Sequence, residues 1–386
     1  MDFDLTDEQR LLKDSVDRLV ADRYDFEARN AIRKQPEGFS RELWAQYAEL
    51  GILGLPFAEE DGGFGGGAVE TMIVMEALGR ALALEPYVAT VILAGGVLRR
   101  AGSAAQRQEL VPQIAGGERL LALAHGERQA RYNLADVATT AQKDGDGWVL
   151  HGTKSTVLHG DAADTLIVSA RVSGGQQDAD GVTLFLVPAD AAGLSRRGYP
   201  TQDAQRAADI TLANVRVGAD AVIGAPGQGI EVVRRVVDET IAALCAEAVG
   251  AMEATLHLTV DYLKTRTQFG RPIGNFQTLQ HQSVDIFVAL EQARSMTMYA
   301  TMMARSDDAA ERARAVAAAK VQIGRSGRLA GQKAIQLHGG VGMTQEYKVG
   351  HYFKRLTIID LMFGDADHHL AILAQLGGLI ATEKAA

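Results

Sequence analysis

The sequence predicts a mostly helical protein with a β domain in the middle of the chain. Apolar residues recur at helical period in residues 1–121, form short β-branched runs in 122–230, and return to helical period in 231–386. These three segments predict an N-terminal helical domain, an antiparallel β barrel or sandwich, and a C-terminal four-helix bundle. A chain of 386 residues is long enough to give such units substantial cores.

The N-terminal segment carries helix start and stop signals. Thr6 and Gln9 have the spacing of a capping box, and apolar residues follow at helical period. Ser40 is placed to cap a second helix, which Gly51 is placed to end. A glycine-dense loop at 61–67 then precedes a further helical pattern at 69–84.

The middle segment has strand signals. Asp-Gly pairs at 144–147 and the Gly174-Gly175 pair are typical of turns between strands. The predicted strands between them cover 148–150, 165–168, 182–187 and 210–212.

The C-terminal segment contains long helical patterns at 230–264, 277–303 and 309–337, joined by short loops. Long helices with short connections lie antiparallel to their neighbours, so the sequence predicts a bundle.

Composition excludes several classes of function. The net charge is −9 and basic residues are scattered, so we expect no nucleic-acid partner. The single cysteine, Cys245, excludes a disulfide framework or multi-cysteine metal site and lies among apolar residues, as an inert core thiol does. The acidic N-terminus lacks a secretory signal, and we see no apolar run near the ~20 residues that span a bilayer. We therefore expect a soluble, cytoplasmic protein without a membrane partner.

Two motifs in the C-terminal segment point to a specific family. Residues 266–273 read Arg-Thr-Gln-Phe-Gly-Arg-Pro-Ile and are followed by Phe276 and Gln277. Residues 336–342 read Gln-Leu-His-Gly-Gly-Val-Gly, with Glu346 just beyond. Both motifs, and the order of helices, β domain and helices over essentially the whole chain, resemble the acyl-CoA dehydrogenases.

The resemblance implies the acyl-CoA dehydrogenase fold, FAD as cofactor and α,β-desaturation of an acyl-CoA thioester. Electrons would leave through an electron-transfer flavoprotein, as in fatty acid or steroid side-chain β-oxidation. In this family the C-terminal motifs of one subunit bind the FAD whose ring lies in the neighbouring subunit. Arginine offers a fork of donors to pyrophosphate, and glycine permits close backbone approach. The cofactor-binding positions implied are Arg266, Gln268, Phe269, Phe276, Gln277, Gln336, Gly339, Gly340 and Asp367.

The catalytic base of the family is missing from both of its usual positions. A glutamate before a glycine removes the α-proton in most members, and counting from Gly339 places Phe363 there. Other members place the glutamate on the first long helix of the bundle, where this chain has Thr240. Neither side chain can act as a general base at neutral pH.

The segments that hold the flavin ring in the family also differ. The Thr-Glu-Pro-x-x-Gly-Ser segment appears as Gly-Glu-Arg-Gln-Ala-Arg-Tyr at 126–132, and the Trp-x-Thr segment as Thr-Val-Leu at 156–158. The stretch from Gly126 to Lys154 aligns without a gap, so the positions correspond although the side chains have changed.

Four interpretations follow. The preferred one is the base-lacking subunit of a bacterial two-subunit acyl-CoA dehydrogenase, of the kind that acts on bulky steroid side chains or dicarboxylic acyl-CoAs, with a related subunit supplying the base. A second is a self-sufficient homo-oligomer with a displaced base, Glu247, seven residues after Thr240 on the same helix face. That carboxylate is alternatively a buried group paired with a neighbouring helix. The third is a non-catalytic scaffold subunit, and the fourth a flavin oxidase or monooxygenase.

A cluster of acidic and histidine residues near the C-terminus resembles a metal site. Only Asp365 and His369 share a helix face, while Asp367 and His368 point elsewhere. We therefore expect no metal, and we expect Asp365 to cap the last helix.

Overall fold

The structure is a computed structural model that describes residues 5–378. Helices dominate the N-terminal part, with one π-helix at Val88–Ala94. The α-helices are α1 (Asp7–Arg23), α2 (Phe26–Ile32), α3 (Arg41–Glu49), α4 (Ala68–Ala81), α5 (Gly95–Ala101) and α6 (Ala104–Ala115).

Strands follow, and then long helices. The strands are β1 (Leu121–Ala124), β2 (Thr140–Asp144), β3 (Gly147–Leu158), β4 (Thr165–Arg171), β5 (Val182–Pro188), β6 (Leu194–Pro200), β7 (Arg206–Val217) and β8 (Val222–Ile223). The C-terminal elements are α7 (Gly229–Thr265), β9 (Thr267–Gln268), β10 (Arg271–Pro272), α8 (Gln277–Met303), α9 (Ala309–His338), α10 (Val349–Leu361) and α11 (Ala366–Gln375).

Local capping explains where several helices begin and end. Thr6 Oγ1 accepts from the Gln9 amide at 3.2 Å, and the Gln9 side chain accepts from the Thr6 amide at 3.0 Å, so the predicted capping box is confirmed. Ser40 Oγ accepts from the Leu43 amide at 3.2 Å and starts α3 as predicted. Gly51 has a φ of +75°, the left-handed conformation that stops this helix at little cost.

The strands form one eight-stranded sheet with the order β6-β7-β3-β2-β4-β5-β8, and β1 pairs with β4. Most strand pairs are antiparallel, as predicted. The exceptions are β1, which is parallel to β4, and β2, which pairs with β4 in parallel at a single position. The apolar face of the sheet buries a cluster that includes Leu150, Phe185 and Ile210. Buried and exposed residues alternate along parts of β3 and β7, whereas every residue of β4 is buried.

The described chain folds as two compact units. The helical unit comprises 5–29, 68–83 and 241–378, because α1 packs on α4 and α4 packs on α7 and α8. The sheet unit comprises 30–67 and 84–240. Within the sheet unit, the Gln106 side chain on α6 donates to the carbonyls of Asp220 (2.9 Å) and Val222 (3.0 Å) and so holds β8 in place.

In the helical unit, α4 and α7 cross at two glycines. An added Cβ at Gly79 would lie 2.0 Å from the carbonyl oxygen of Glu247, and one at Gly250 would lie 1.9 Å from that of Glu76. The backbones can approach this closely only because neither glycine has a side chain.

One expectation about α7 needs correction. Among the described residues, α7 is long and apolar enough to span a membrane by length and composition, although the sequence analysis found no such stretch. The apolar part of α7 is largely buried in the fold, and the core helices of globular proteins pass the same test.

Candidate functional site

A tight hairpin after α7 presents the first motif. Residues Gln268 and Arg271 pair across a two-residue turn, in which Phe269 (φ +55°) and Gly270 (φ +76°) are both left-handed. This is the geometry of a type I′ turn, and it is costly for a bulky residue. The phenyl ring of Phe269 is 88% exposed and meets the ring of Phe276 edge-on at 6.0 Å.

The polar side chains of this hairpin face outward. Arg266 and Gln277 are exposed, and within residues 5–378 neither side chain has a hydrogen-bond or ion-pair partner. Gln268 differs, because its amide nitrogen donates to the carbonyl of Thr267 at 2.8 Å. Among the residues that the structure describes, Arg266 and Gln277 therefore both have free donors, as has Arg271, whose guanidinium lies over the Phe276 ring at 4.3 Å.

The second motif ends α9. Gly339 has φ +60° and ψ −140°, a conformation that favours glycine. Gly340 has no such backbone requirement, and no described atom lies within 4 Å of where its Cβ would be. Gln336 is exposed on the last turn, with no side-chain partner in the described part of the chain. The intrachain packing therefore does not require glycine at 340 and leaves open space beside it.

Aromatic stacking joins the two motifs. The Tyr262 ring, one turn before Arg266, stacks on the His338 imidazole at 4.6 Å, and Tyr347 lies 5.0 Å from the same imidazole. Burial lowers the pKa of His338, so the stacked imidazole is neutral. No sequence signal indicated this trio, although His338 lies within the second motif and Tyr262 lies four residues before the first.

The loop around Phe363 has an unusual backbone held by buried groups. Phe363 has a φ of +57°, and Gly364 a φ of +108°. The buried Lys320 ammonium donates to the carbonyls of Asp360 (2.7 Å), Met362 (2.8 Å) and Gly364 (2.6 Å). Lys320 therefore fixes this loop whatever side chain stands at 363, and no motif in the sequence indicated it.

Thr240 and Glu247 lie on α7, and both are buried. The Thr240 hydroxyl donates to the carbonyl of Val236 at 2.7 Å. Both oxygens of Glu247 accept from the guanidinium of Arg355 on α10, at 2.6 and 2.7 Å. This pairing favours the interpretation of Glu247 as a buried group paired with a neighbouring helix over its role as a base.

In the sheet unit, Glu127 is held within the protein. Its carboxylate accepts from Lys154 Nζ at 2.7 Å and from the amides of Ala138 (2.9 Å) and Thr139 (3.1 Å). Burial alone would raise the pKa of Glu127, but Lys154 and these hydrogen bonds outweigh it and lower the pKa to about 2. Glu127 is therefore an ionised structural residue that fastens the 126–132 segment.

Comparison with known proteins identifies the family. Family models described as the N-terminal, middle and C-terminal domains of acyl-CoA dehydrogenase match residues 6–118, 122–215 and 227–377. Acyl-CoA dehydrogenase FadE12 of Mycobacterium tuberculosis is 33% identical over 313 residues, which are 80% of each chain. The chain belongs to the acyl-CoA dehydrogenase family.

Two similar solved structures have names that join two proteins. The chain resembles a structure of the Tcur3481-Tcur3483 steroid ACAD with 31% identity and a TM-score of 0.85, covering 96% of this chain and 97% of that one. It resembles the ChsE4-ChsE5 complex of Mycobacterium tuberculosis with 28% identity and a TM-score of 0.88, covering 99% of this chain and 100% of that one.

Membership of the acyl-CoA dehydrogenase family implies FAD, and the helical unit fits its ADP portion. The unpartnered donors of Arg266, Gln277 and Gln336 suit a pyrophosphate, and the space beside Gly340 permits close approach. The exposed apolar side chains of Phe269 and Met343 suit an adenine. Asp367, also implied by the resemblance, lies exposed in the first turn of α11.

The sheet unit lacks the side chains with which acyl-CoA dehydrogenases hold the flavin ring. Gly126 and Leu158 lack the hydroxyls of the family threonines. The amide of Thr156 donates instead to Asp209 Oδ1 at 3.3 Å, and the same carboxylate pairs with two arginines. A charged cluster thus stands where the family presents an aromatic and a hydroxyl side chain.

The C-terminal acidic and histidine residues have structural roles. Asp365 Oδ1 accepts from the His368 amide at 2.9 Å and caps α11, which confirms the predicted cap. Within residues 5–378, no three His, Cys, Asp or Glu side chains are arranged to hold a metal ion. Burial raises the pKa of the Cys245 thiol to about 12, in agreement with an inert core cysteine.

Acid should destabilise the protein through His369. Its Nε2 donates to the carbonyl of Phe363 at 3.0 Å, and burial, aided by Lys320, lowers its pKa from 6.5 to about 4. Between these pH values the unfolded chain binds a proton that the folded chain does not, so stability falls as pH falls through this window. Over this window the free energy of unfolding should fall by about 3 kcal/mol because of His369.

His369→Gln keeps a donor for Phe363 and removes the titration. The free energy of unfolding, measured by urea denaturation from neutral pH to pH 4, should fall less steeply in this variant. His281→Gln, an exposed matched control, should retain the wild-type slope. Identical slopes for wild type and His369→Gln would contradict the prediction.

Proposed function

We propose that this chain is an FAD-dependent acyl-CoA dehydrogenase subunit that works in a hetero-oligomer. It holds the ADP portion of an FAD whose ring lies against a related subunit, and that subunit supplies the catalytic base. The observation that carries the proposal is the contrast between two half-sites. Arg266, Gln277 and Gln336 match the family motifs and have no side-chain partner in the part of the chain that the structure describes, whereas a phenyl group stands at 363.

The division of labour follows from the chemistry of the side chains. Desaturation of an acyl-CoA thioester removes a proton from the α-carbon and a hydride from the β-carbon. FAD, when bound, would supply the hydride acceptor, and an electron-transfer flavoprotein would take the electrons onward. Arg266 would neutralise pyrophosphate charge, and the amides of Gln277 and Gln336 would direct it by hydrogen bonds. Phe363 cannot accept the proton, which therefore requires a carboxylate from the partner.

The backbone around Phe363 also supports this assignment. A left-handed bulky residue is costly, and here it is imposed by Lys320 and His369. The loop thus holds position 363 in a fixed conformation although its side chain cannot act as a base. The similar structures Tcur3481-Tcur3483 and ChsE4-ChsE5 each have a name that joins two proteins, which supports a two-subunit assembly for this chain. The word steroid in the name of the first structure favours a bulky acyl group as the substrate. We also propose that the protein is located in the cytoplasm.

Flavin absorbance per polypeptide, measured with the chain alone and co-expressed with a related subunit, tests the proposal. The chain alone should be colourless or fail to bleach when acyl-CoA is added anaerobically, and the co-expressed pair should be yellow and bleach. Bleaching by the isolated chain would show that it is self-sufficient and overturn the proposal. Stoichiometric peroxide release under air would instead favour the oxidase interpretation.

Replacing Arg266 by alanine should weaken FAD binding by the assembly. A hydrogen bond to a charged group contributes about 1.5–3 kcal/mol, which corresponds to roughly a tenfold to hundredfold rise in the FAD dissociation constant. Because Arg266 is exposed and unpartnered among residues 5–378, thermal stability without flavin should not change. Arg305→Ala, another exposed arginine of the helical unit, serves as the control. Unchanged FAD affinity in Arg266→Ala would remove the pyrophosphate role.

A further inference from the structure

A cavity of about 510 Å³ opens on the sheet unit beside β3, β6 and β7. Its lining is polar and includes Ser155, Ser195, Thr211 and Asp209, together with the arginines at 128, 196 and 197. The volume lies within the range of small-molecule sites. Glu127, Arg128 and Gln129 of the 126–132 segment line it, yet the charged side chains of the cavity do not suit an uncharged aromatic ring.

Two guanidinium groups share a single carboxylate in this cavity. Arg197 lies 2.6 Å and Arg128 3.5 Å from the same oxygen of Asp209. The other oxygen of Asp209 accepts from the Thr156 amide at 3.3 Å and from the Tyr199 hydroxyl at 3.2 Å. The carboxylate is therefore saturated, while most N–H groups of both arginines remain available because their side chains are 81% and 73% exposed.

The remaining charges leave the cavity positive. Arg196 contributes no charge to this face, because it pairs with Ile210 on the other face of β6 and its guanidinium donates to the carbonyls of Gly160, Asp161 and Ala163. Glu127 and Lys154 cancel one another in their buried pair. Arg128 and Arg197 thus bring two positive charges to the single negative charge of Asp209, in a protein whose net charge is −9.

The arginines are also partly preorganised. The Arg197 hydrogen bond holds the pKa of Asp209 below its usual range, so the carboxylate stays charged and keeps the fork in place. The Arg197 guanidinium also lies over the Tyr199 ring at 5.9 Å. Planar guanidinium groups held in this way match the oxygens of a phosphate.

We propose that this cavity binds the phosphate group of a small molecule. The hydroxyls of Ser155, Ser195 and Thr211 line the same cavity and supply further donors. All the residues that line this site belong to the sheet unit, whereas the residues proposed for the FAD half-site belong to the helical unit. Inorganic pyrophosphate, ADP and coenzyme A carry the same anionic chemistry and differ in the rest of the molecule.

Calorimetric titration of the full-length Arg266→Ala chain with each of these three probes tests the proposal, since this background removes the proposed pyrophosphate donor of the FAD half-site. Saturable binding that weakens with added salt is expected. The double substitution Arg128→Gln and Arg197→Gln should weaken it about tenfold or more. Arg216→Gln is the matched control, an exposed β7 arginine paired with Asp144 outside the cavity. Equal affinities for the three probes would show that the cavity recognises the phosphate group alone. Tighter binding of ADP or coenzyme A than of pyrophosphate would show that it recognises the nucleoside as well.

The outcomes separate this site from the FAD half-site. Absence of binding to the Arg266→Ala chain, or binding that survives the double substitution, would overturn the proposal. Binding to the wild-type chain that disappears in Arg266→Ala but persists in the Arg128/Arg197 variant would assign the anion to the FAD half-site alone. Thermal unfolding should be nearly unchanged in every variant, because exposed ion pairs contribute little to stability.

Discussion

Replacing Gly250 by alanine is expected to abolish the folded helical unit. The new Cβ would lie 1.9 Å from the carbonyl oxygen of Glu76, a backbone atom of α4 that cannot rotate away. The two helices would have to separate, which would also lengthen the ion pairs of Arg80 with Glu253 (2.7 Å) and of Arg294 with Glu76 (2.8 Å). We expect a loss of more than about 4 kcal/mol, seen as loss of soluble protein or of a cooperative urea transition.

Gly340→Ala is the matched control, because no described atom lies within 4 Å of its Cβ. Its free energy of unfolding should stay within about 0.5 kcal/mol of the wild-type value. FAD should bind more weakly to the variant, because the added methyl group enters the space proposed for the cofactor. A Gly250→Ala protein as stable as wild type would show that α4 and α7 do not require this close contact.

Breaking the Glu247–Arg355 pair should have the second-largest effect. Both side chains are buried, and two hydrogen bonds of 2.6 and 2.7 Å join them. Removing one partner leaves a buried charge without compensation, at a cost of about 3–5 kcal/mol. Glu247→Leu and Arg355→Met should each lower the free energy of unfolding by this amount in urea denaturation. The double variant should recover much of the loss, because buried pairs can often be exchanged for apolar residues.

The same series decides between the two roles considered for Glu247. If the pair is structural, the double variant recovers stability and its assembly with a related subunit still turns over acyl-CoA. If Glu247 is the base, that assembly remains inactive although the protein is stable. Activity lost in the double variant at full stability would therefore support the displaced-base alternative.

Much of the fold could be predicted because its signals are local. The capping box of Thr6 and Gln9 and the cap at Ser40 depend on residues three apart, so the sequence contains both partners. The three long C-terminal helices end within a residue of their predicted bounds, since their apolar periodicity extends over many turns. The two motifs that resemble the family could also be found, because each is a continuous run, and their role in binding FAD stays a prediction.

Contacts between distant residues were decided by the tertiary structure alone. Arg355 stands 108 residues from Glu247, and Lys320 stands 44 residues from the carbonyl of Gly364, so no periodicity relates these partners. The crossing of α4 and α7 likewise gives Gly79 and Gly250 a packing role that neither shows in sequence.

The sequence by itself determined the order of the elements, the family and the two motifs that resemble it. The order of the elements follows from short-range hydrogen bonding and apolar periodicity, and the family and its motifs follow from continuous runs of side chains. Only the tertiary structure decided that Glu247 is paired, that Phe363 has a left-handed backbone held by Lys320, and that Arg128 and Arg197 share the carboxylate of Asp209. Each of these depends on which buried or converging groups meet in space, and packing of the whole chain fixes that.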